Sequence, residues 1–195
     1  MCETIHTVHE EEYKGHSIKI FSDDMCESPR EWDNLAEMVC FHGMYNLGDK
    51  HDFSTPDELH EFLDREDVLY LPLYLYDHSG ITMNTTGYHC PWDSGQVGYI
   101  YITYDKIRKE MVLPKGKHYR PIKNITEKVK QYVYDRLRGE VKTYDDFITG
   151  NVYGFSVEKD GEDVDSCWGF LGDYDDPDYS ALAEAKSIID FIEVQ

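Results

Sequence analysis

Asp77, His78, His89, Cys90 and Asp93 lie close together in the chain and bring carboxylate, imidazole and thiol groups within one segment. These are the donor types of a zinc or other transition-metal site. Their spacing matches no metal motif, and the adjacent His89 and Cys90 would share one ion only through an awkward backbone. The same side chains form a second candidate, a Cys-His nucleophilic pair in which His78 activates Cys90 and Asp77 orients the imidazole. A structural reading competes with both. Pro91 fixes the backbone, Trp92 anchors the loop by burial, Asp93 or Ser94 caps neighbouring amides, and Gly95 turns into the next strand.

Two further groupings bear on chemistry. In Ser28 to Asn34, Trp32 is a candidate anchor, and Arg30 can pair with a carboxylate either of the protein or of a substrate. The run Asp173, Asp175, Asp176 and Asp178 has the oxygen density of a calcium loop, but lacks the glycine and terminal glutamate of an EF-hand; a solvated acidic loop is the alternative. No Walker, GxGxxG, HExxH or GxSxG sequence is present. Weight therefore moves from enzyme to binding protein. No cofactor is expected.

Charge supplies the strongest signal. The 39 acidic and 19 basic residues give a formal net charge of -20, and they are segregated. Met1 to Tyr70 carries -13, Leu71 to Lys142 carries +5, and Thr143 to Gln195 carries -12. Two anionic blocks around a cationic middle suit a surface that presents negative charge to a positive partner. DNA carries one charge per about 1.7 Å of its axis, so a groove adapted to it attracts a comparable anionic array. The expected partner is a protein with a cationic nucleic-acid-binding groove. The expected contact residues are Asp145, Asp146, Glu158, Asp160, Glu162, Asp163, Asp165, Asp173, Asp175, Asp176 and Asp178. Tyr144 and Tyr174, beside these acids, would add contacts to arginines. If the surface is a mimic, the acids from Asp160 to Asp178 form one exposed face; otherwise they pair internally with the basic middle. A nucleic-acid binder using Lys106 to Lys142 is a third reading, opposed by the acidic flanks. Direct binding of nucleic acid is not expected.

The elements that must position these residues are readable from periodicity. His16 to Phe21 alternates as a half-buried strand, and Glu37 to His42 suits a second. A helix begins at Ser54, with Thr55 as cap, Pro56 in the first turn and Glu58 reaching back, and ends near Arg65. Val68 to Tyr76 reads as a strand that Pro72 confines to an edge or a bulge, followed by a turn at Asp77 to Gly80. Thr82 to Gly95 reads as a long loop, and Gln96 to Tyr104 as a strand. Tyr104 to Met111 suits a short helix and Lys115 to Lys123 a surface loop. Val129, Val133, Leu137, Val141, Tyr144 and Ile148 define a long amphipathic helix from Thr126, stopped at Gly150. A hairpin pairs Val152 to Glu158 with Val164 to Leu171 across an Asp-Gly turn, and a last helix runs from Ser180 to Glu193. The order predicts an α+β fold, with a mixed or mostly antiparallel sheet packed by the long helix and the C-terminal helix.

The 195 residues suit a single domain, 1-195, and 41% hydrophobic content with 16 tyrosines argues for a folded chain. No apolar run reaches the roughly twenty residues of a membrane span, and the N-terminus lacks signal-peptide character, which predicts a cytoplasmic protein away from the membrane. The five cysteines form no CxxC pair and read as reduced thiols. A homodimer would extend the acidic surface.

Ser28 to Asn34 with Tyr45-Asn46-Leu47-Gly48-Asp49, Leu71 to Gly80 (LPLYLYDHSG) and Pro91 to Tyr101 (PWDSGQVGYIY) resemble a widespread family of bacteriophage and mobile-element proteins to which no activity is attached. The similarity extends through Thr143-Tyr144-Asp145 and Gly150 to Gly154 to Ser166-Cys167-Trp168-Gly169-Phe170. The resemblance implies a phage-type accessory protein in the host cytoplasm, acting against host defence. Joined to the charge, it gives the leading expectation: a non-enzymatic, nucleic-acid-mimicking inhibitor of a CRISPR effector or restriction nuclease. The alternative is a small metal-assisted hydrolase using the Asp77 to Asp93 loop.

Overall fold

The computed structural model describes residues 6–115 and 118–194, with the side chains of 113–115 and 118–120 left aside. Met1 to Ile5, including Cys2, and Gly116 and Lys117 of the expected surface loop lie outside the described residues. The elements in chain order are β1 (Thr7–Tyr13), β2 (His16–Ser22), β3 (Glu37–Cys40), α1 (Pro56–Leu63), β4 (Val68–Asp77), β5 (Ile81–Asn84), β6 (Ser94–Thr103), α2 (Tyr104–Glu110), β7 (Val112–Lys115), β8 (His118–Pro121), α3 (Glu127–Ile148), β9 (Val152–Lys159), β10 (Glu162–Leu171) and α4 (Ala181–Glu193). The fold is α+β, and every strand pairing is antiparallel. The strands form two four-stranded sheets and a separate hairpin rather than one sheet. The chain divides into two compact units, Met1–Pro29 with Asp146–Gln195, and Arg30–Asp145.

The first unit is the sheet β1-β2-β9-β10 with α4 on one face. Ile18, Ile20, Phe155 and Val157 alternate inward and meet Ala181, Leu182, Ala185 and Ile189 of the helix. Ser180 caps α4 by accepting from the Ala183 amide at 3.1 Å, as its residue type predicts. The β9–β10 turn places Asp160 at φ 54° and Gly161 at φ 83°, the paired positive values of a two-residue hairpin and the reason for Asp-Gly there. Strand β1 has no counterpart in the sequence reading: three consecutive glutamates on a half-exposed edge strand obscure its alternation.

The second unit is the sheet β3-β6-β4-β5, with α1, α2, α3 and the β7–β8 hairpin. Val39, Val68 and Tyr101 pack with Leu59 and Leu63 of α1. Thr55 caps α1 by accepting from the Glu58 amide at 3.2 Å, while Glu58 reaches back to the Ser54 amide at 2.8 Å. Helix α3 buries Val129, Val133, Leu137, Val141 and Tyr144, the predicted stripe. Pro72 sits where β5 has not yet joined β4, because β5 pairs only with Tyr74 to Asp77, and a register shift follows at Leu73/Tyr74. Two expected loops are corrected: the Thr82 to Gly95 segment opens within β5, and the Lys115 to Lys123 segment contains the whole of β8. In the centre of the sheet, Gly98 lies so close to the Val39 carbonyl that no side chain fits.

Candidate functional site

The β4–β5 hairpin and the segment before β6 bring the ends of the predicted chemical loop together. The Asp77 amide donates to the Asp93 carbonyl at 2.8 Å. One carboxylate oxygen of Asp93 then lies 3.4 Å from His78 Nδ1 and 3.4 Å from Cys90 Sγ. A nucleophilic pair needs the thiol turned to the imidazole; here it donates to a carboxylate, and the acid facing His78 is Asp93 rather than Asp77. His89 points elsewhere, into a cleft of about 520 Å³ shared with Tyr74, Tyr88 and Pro91. Among the described residues, no three His, Cys, Asp or Glu side chains are arranged to hold a metal ion. Trp92 overturns its expected role as a buried anchor, being 92% exposed, and Trp32 is half exposed.

Arg30 is a structural residue rather than a substrate clamp. Its side chain is only 4% exposed. Nε and Nη2 donate to the two oxygens of Asp49 at 2.8 and 2.7 Å, Nη1 to Glu140 at 3.0 Å, and Nη2 also to the Ala36 carbonyl at 2.8 Å. Asp49 also accepts from the Met38 amide at 2.7 Å, and Glu140 from the Leu35 amide at 3.0 Å. The guanidinium thus fastens the segment before β3, the Asn46-Leu47-Gly48-Asp49 turn and α3 with its whole donor fork in use.

The eleven predicted contact acids separate into two sets. Asp145 accepts from Thr82 Oγ1 at 2.8 Å and the Met83 amide at 2.7 Å, so it ties α3 to β5. Asp146 is buried, and Glu158 holds Lys19 at 2.8 Å. These three do not belong to a free anionic surface. The other eight, Asp160, Glu162, Asp163, Asp165, Asp173, Asp175, Asp176 and Asp178, are all exposed, all in the first unit, and none forms an ion pair among the described residues. Of these eight, Asp163 acts on a neighbouring cation: Glu158 through its hydrogen bond, then Glu10 and Asp163 through space, hold the Lys19 ammonium above its ordinary value. Asp176 takes up the amides of Asp178 and Tyr179 at 2.8 and 3.2 Å, which gives the acidic loop a turn of its own in place of a calcium cage.

Charge follows the structural division. The first unit holds twenty acidic and four basic residues, so it carries -16 of the -20, and the second unit carries -4. On the second unit the basic excess is partly spent locally: Arg108 pairs with Asp105, Lys130 with Glu127 and Arg138 with Asp135, each three residues apart on a helix. The two tyrosines expected to meet arginines are engaged instead. Tyr144 is buried with its hydroxyl on the Gly48 amide at 3.0 Å, and Tyr174 packs against His9 and Tyr153.

Comparison with protein-family models, with curated proteins and with solved structures returns no match.

Proposed function

We propose that the protein is a binding module that places exposed carboxylates of its first unit in the cationic nucleic-acid-binding groove of a partner protein, and so blocks that groove. The supporting observation is the set of eight exposed carboxylates without an ion pair among the described residues, on a unit of net charge -16. An internal structural role would have brought lysines or arginines to these acids, as Lys186 is brought to Glu11 at 2.8 Å. A charge serving solubility alone has no need to concentrate on one unit. The finer reading is a phage-type inhibitor of a host defence nuclease, either a CRISPR effector or a restriction enzyme. It is motivated by the motif resemblance together with the charge.

The test is a DNA-cleavage assay on purified CRISPR effectors and restriction nucleases, with the natural chain and a variant carrying Asn or Gln at all eight positions. Inhibition by the natural chain and its loss in the amide variant support the reading. Equal inhibition by both proteins rejects charge mimicry, and failure to inhibit any nuclease rejects the defence role.

A further inference from the structure

The second unit carries a cleft of about 440 Å³ whose chemistry is separate from the exposed carboxylates of the first unit. Phe41, Leu75 and Val97 supply apolar walls, Asp77 and Asp93 supply two carboxylates, and Trp92 stands at the side with its indole 92% exposed. Asp77 and Asp93 are joined through the backbone, the Asp77 amide donating to the Asp93 carbonyl at 2.8 Å; the Asp77 carboxylate accepts from the Tyr45 hydroxyl, which holds that phenol above its ordinary value, and one carboxylate oxygen of Asp93 faces His78 and Cys90 at 3.4 Å. Among the described residues, no lysine or arginine lines the cleft. An indole left almost wholly in water forgoes a large hydrophobic gain, and an exposed tryptophan is enriched where a partner will cover it.

We infer that this cleft takes an arginine side chain of a partner protein. The apolar walls suit the methylene stem, the exposed indole suits the guanidinium, and two carboxylates on the lining suit its charge and its several donors. Lysine presents a compact, strongly hydrated ammonium that neither stacks nor forks. The inference uses the proposed cationic partner only as the source of the arginine; the pocket chemistry stands on the second unit alone.

The test is an NMR titration of the full chain with the peptide acetyl-Gly-Arg-Gly-amide, following the indole Nε1–H signals. The Trp92 signal, identified by its loss in Trp92→Phe, should shift saturably, and Asp77→Asn and Trp92→Ala should each weaken binding at least fivefold. Replacing arginine by citrulline, which keeps the shape and removes the charge, should abolish saturable shifts, and lysine should bind at least fivefold more weakly. Equal binding of citrulline or lysine, or arginine binding unchanged in both variants, overturns the inference. The eight-position amide variant should bind the peptide like the natural chain. In that variant, loss of nuclease inhibition with intact arginine binding would support both claims, whereas intact inhibition would reject the charge mimicry and leave this cleft standing.

Discussion

Removing Arg30 tests whether its cluster is the node that organises the second unit. In Arg30→Ala, Asp49 and Glu140, whose side chains are only 22% and 16% exposed, lose their counter-charge. Breaking a buried pair by deleting one partner costs about 3–5 kcal/mol, because the surviving charge stays desolvated. Both carboxylates keep backbone donors, Met38 for Asp49 and Leu35 for Glu140, which places the expected loss near the lower end, about 3 kcal/mol. With a urea slope of about 1–3 kcal/mol per molar, the midpoint falls by about 1–3 M. Trp32 and Trp92 belong to the second unit and Trp168 to the first, so fluorescence-detected unfolding in a Trp168→Phe background reports on the second unit. Arg30→Lys keeps the charge without the fork and should lose about half as much. Adding Asp49→Asn and Glu140→Gln to Arg30→Ala should recover part of the loss, since the stranded anions disappear. A loss below about 1 kcal/mol, the level of a solvated surface pair, would refute the reasoning and reopen a ligand-binding role for Arg30.

Other expectations follow from single sites. Gly98→Ala drives a methyl group into the Val39 carbonyl of the neighbouring strand and should cost the second unit about 2–3 kcal/mol, read by the same urea titration. Glu11 is held below its ordinary value of 4.5 chiefly by its bond to Lys186, so its contribution is present above pH 4.5 and is lost as pH falls through the folded value. Glu11→Gln should therefore lower first-unit stability near neutral pH and flatten its decline in acid, measured by Trp168 fluorescence; equal acid slopes would contradict this. Burial pushes the Cys40 thiol up to about 12, whereas Cys167 is exposed. In a Cys2→Ser background, a thiol reagent should label Cys167 promptly and Cys40 only on unfolding, and prompt labelling of Cys40 would contradict its burial.

The parts of the fold legible in the sequence are those governed by local physics. Thr55 and Ser180 cap because an oxygen beside an open amide is a property of neighbouring residues, and the Asp160-Gly161 turn rests on the same kind of proximity. The α3 stripe is likewise set by periodicity. Strand β1 escaped because an edge strand of glutamates carries little apolar alternation. Arg30 is legible as a carboxylate partner, but its partners Asp49 and Glu140 are not, because they lie 19 and 110 residues away and spacing along the chain does not reveal such a meeting. The candidate site was legible by halves for a related reason. Charge density identified the acidic region, but which acids turn inward depends on tertiary partners: Thr82 for Asp145 and Lys19 for Glu158. Residue type favours burial of Trp92, yet a tryptophan in a turn is covered only if another element reaches it.

The central claim is that anionic groups of the first unit replace nucleic acid in a cationic groove. It is tested most directly by displacing fluorescently labelled DNA from a CRISPR effector or restriction nuclease while salt is raised. The proposed mode predicts competitive displacement whose affinity falls steeply with ionic strength and is largely lost in the eight-position amide variant. Binding that leaves the DNA engaged, or displacement that is insensitive to both salt and amide substitution, would contradict it.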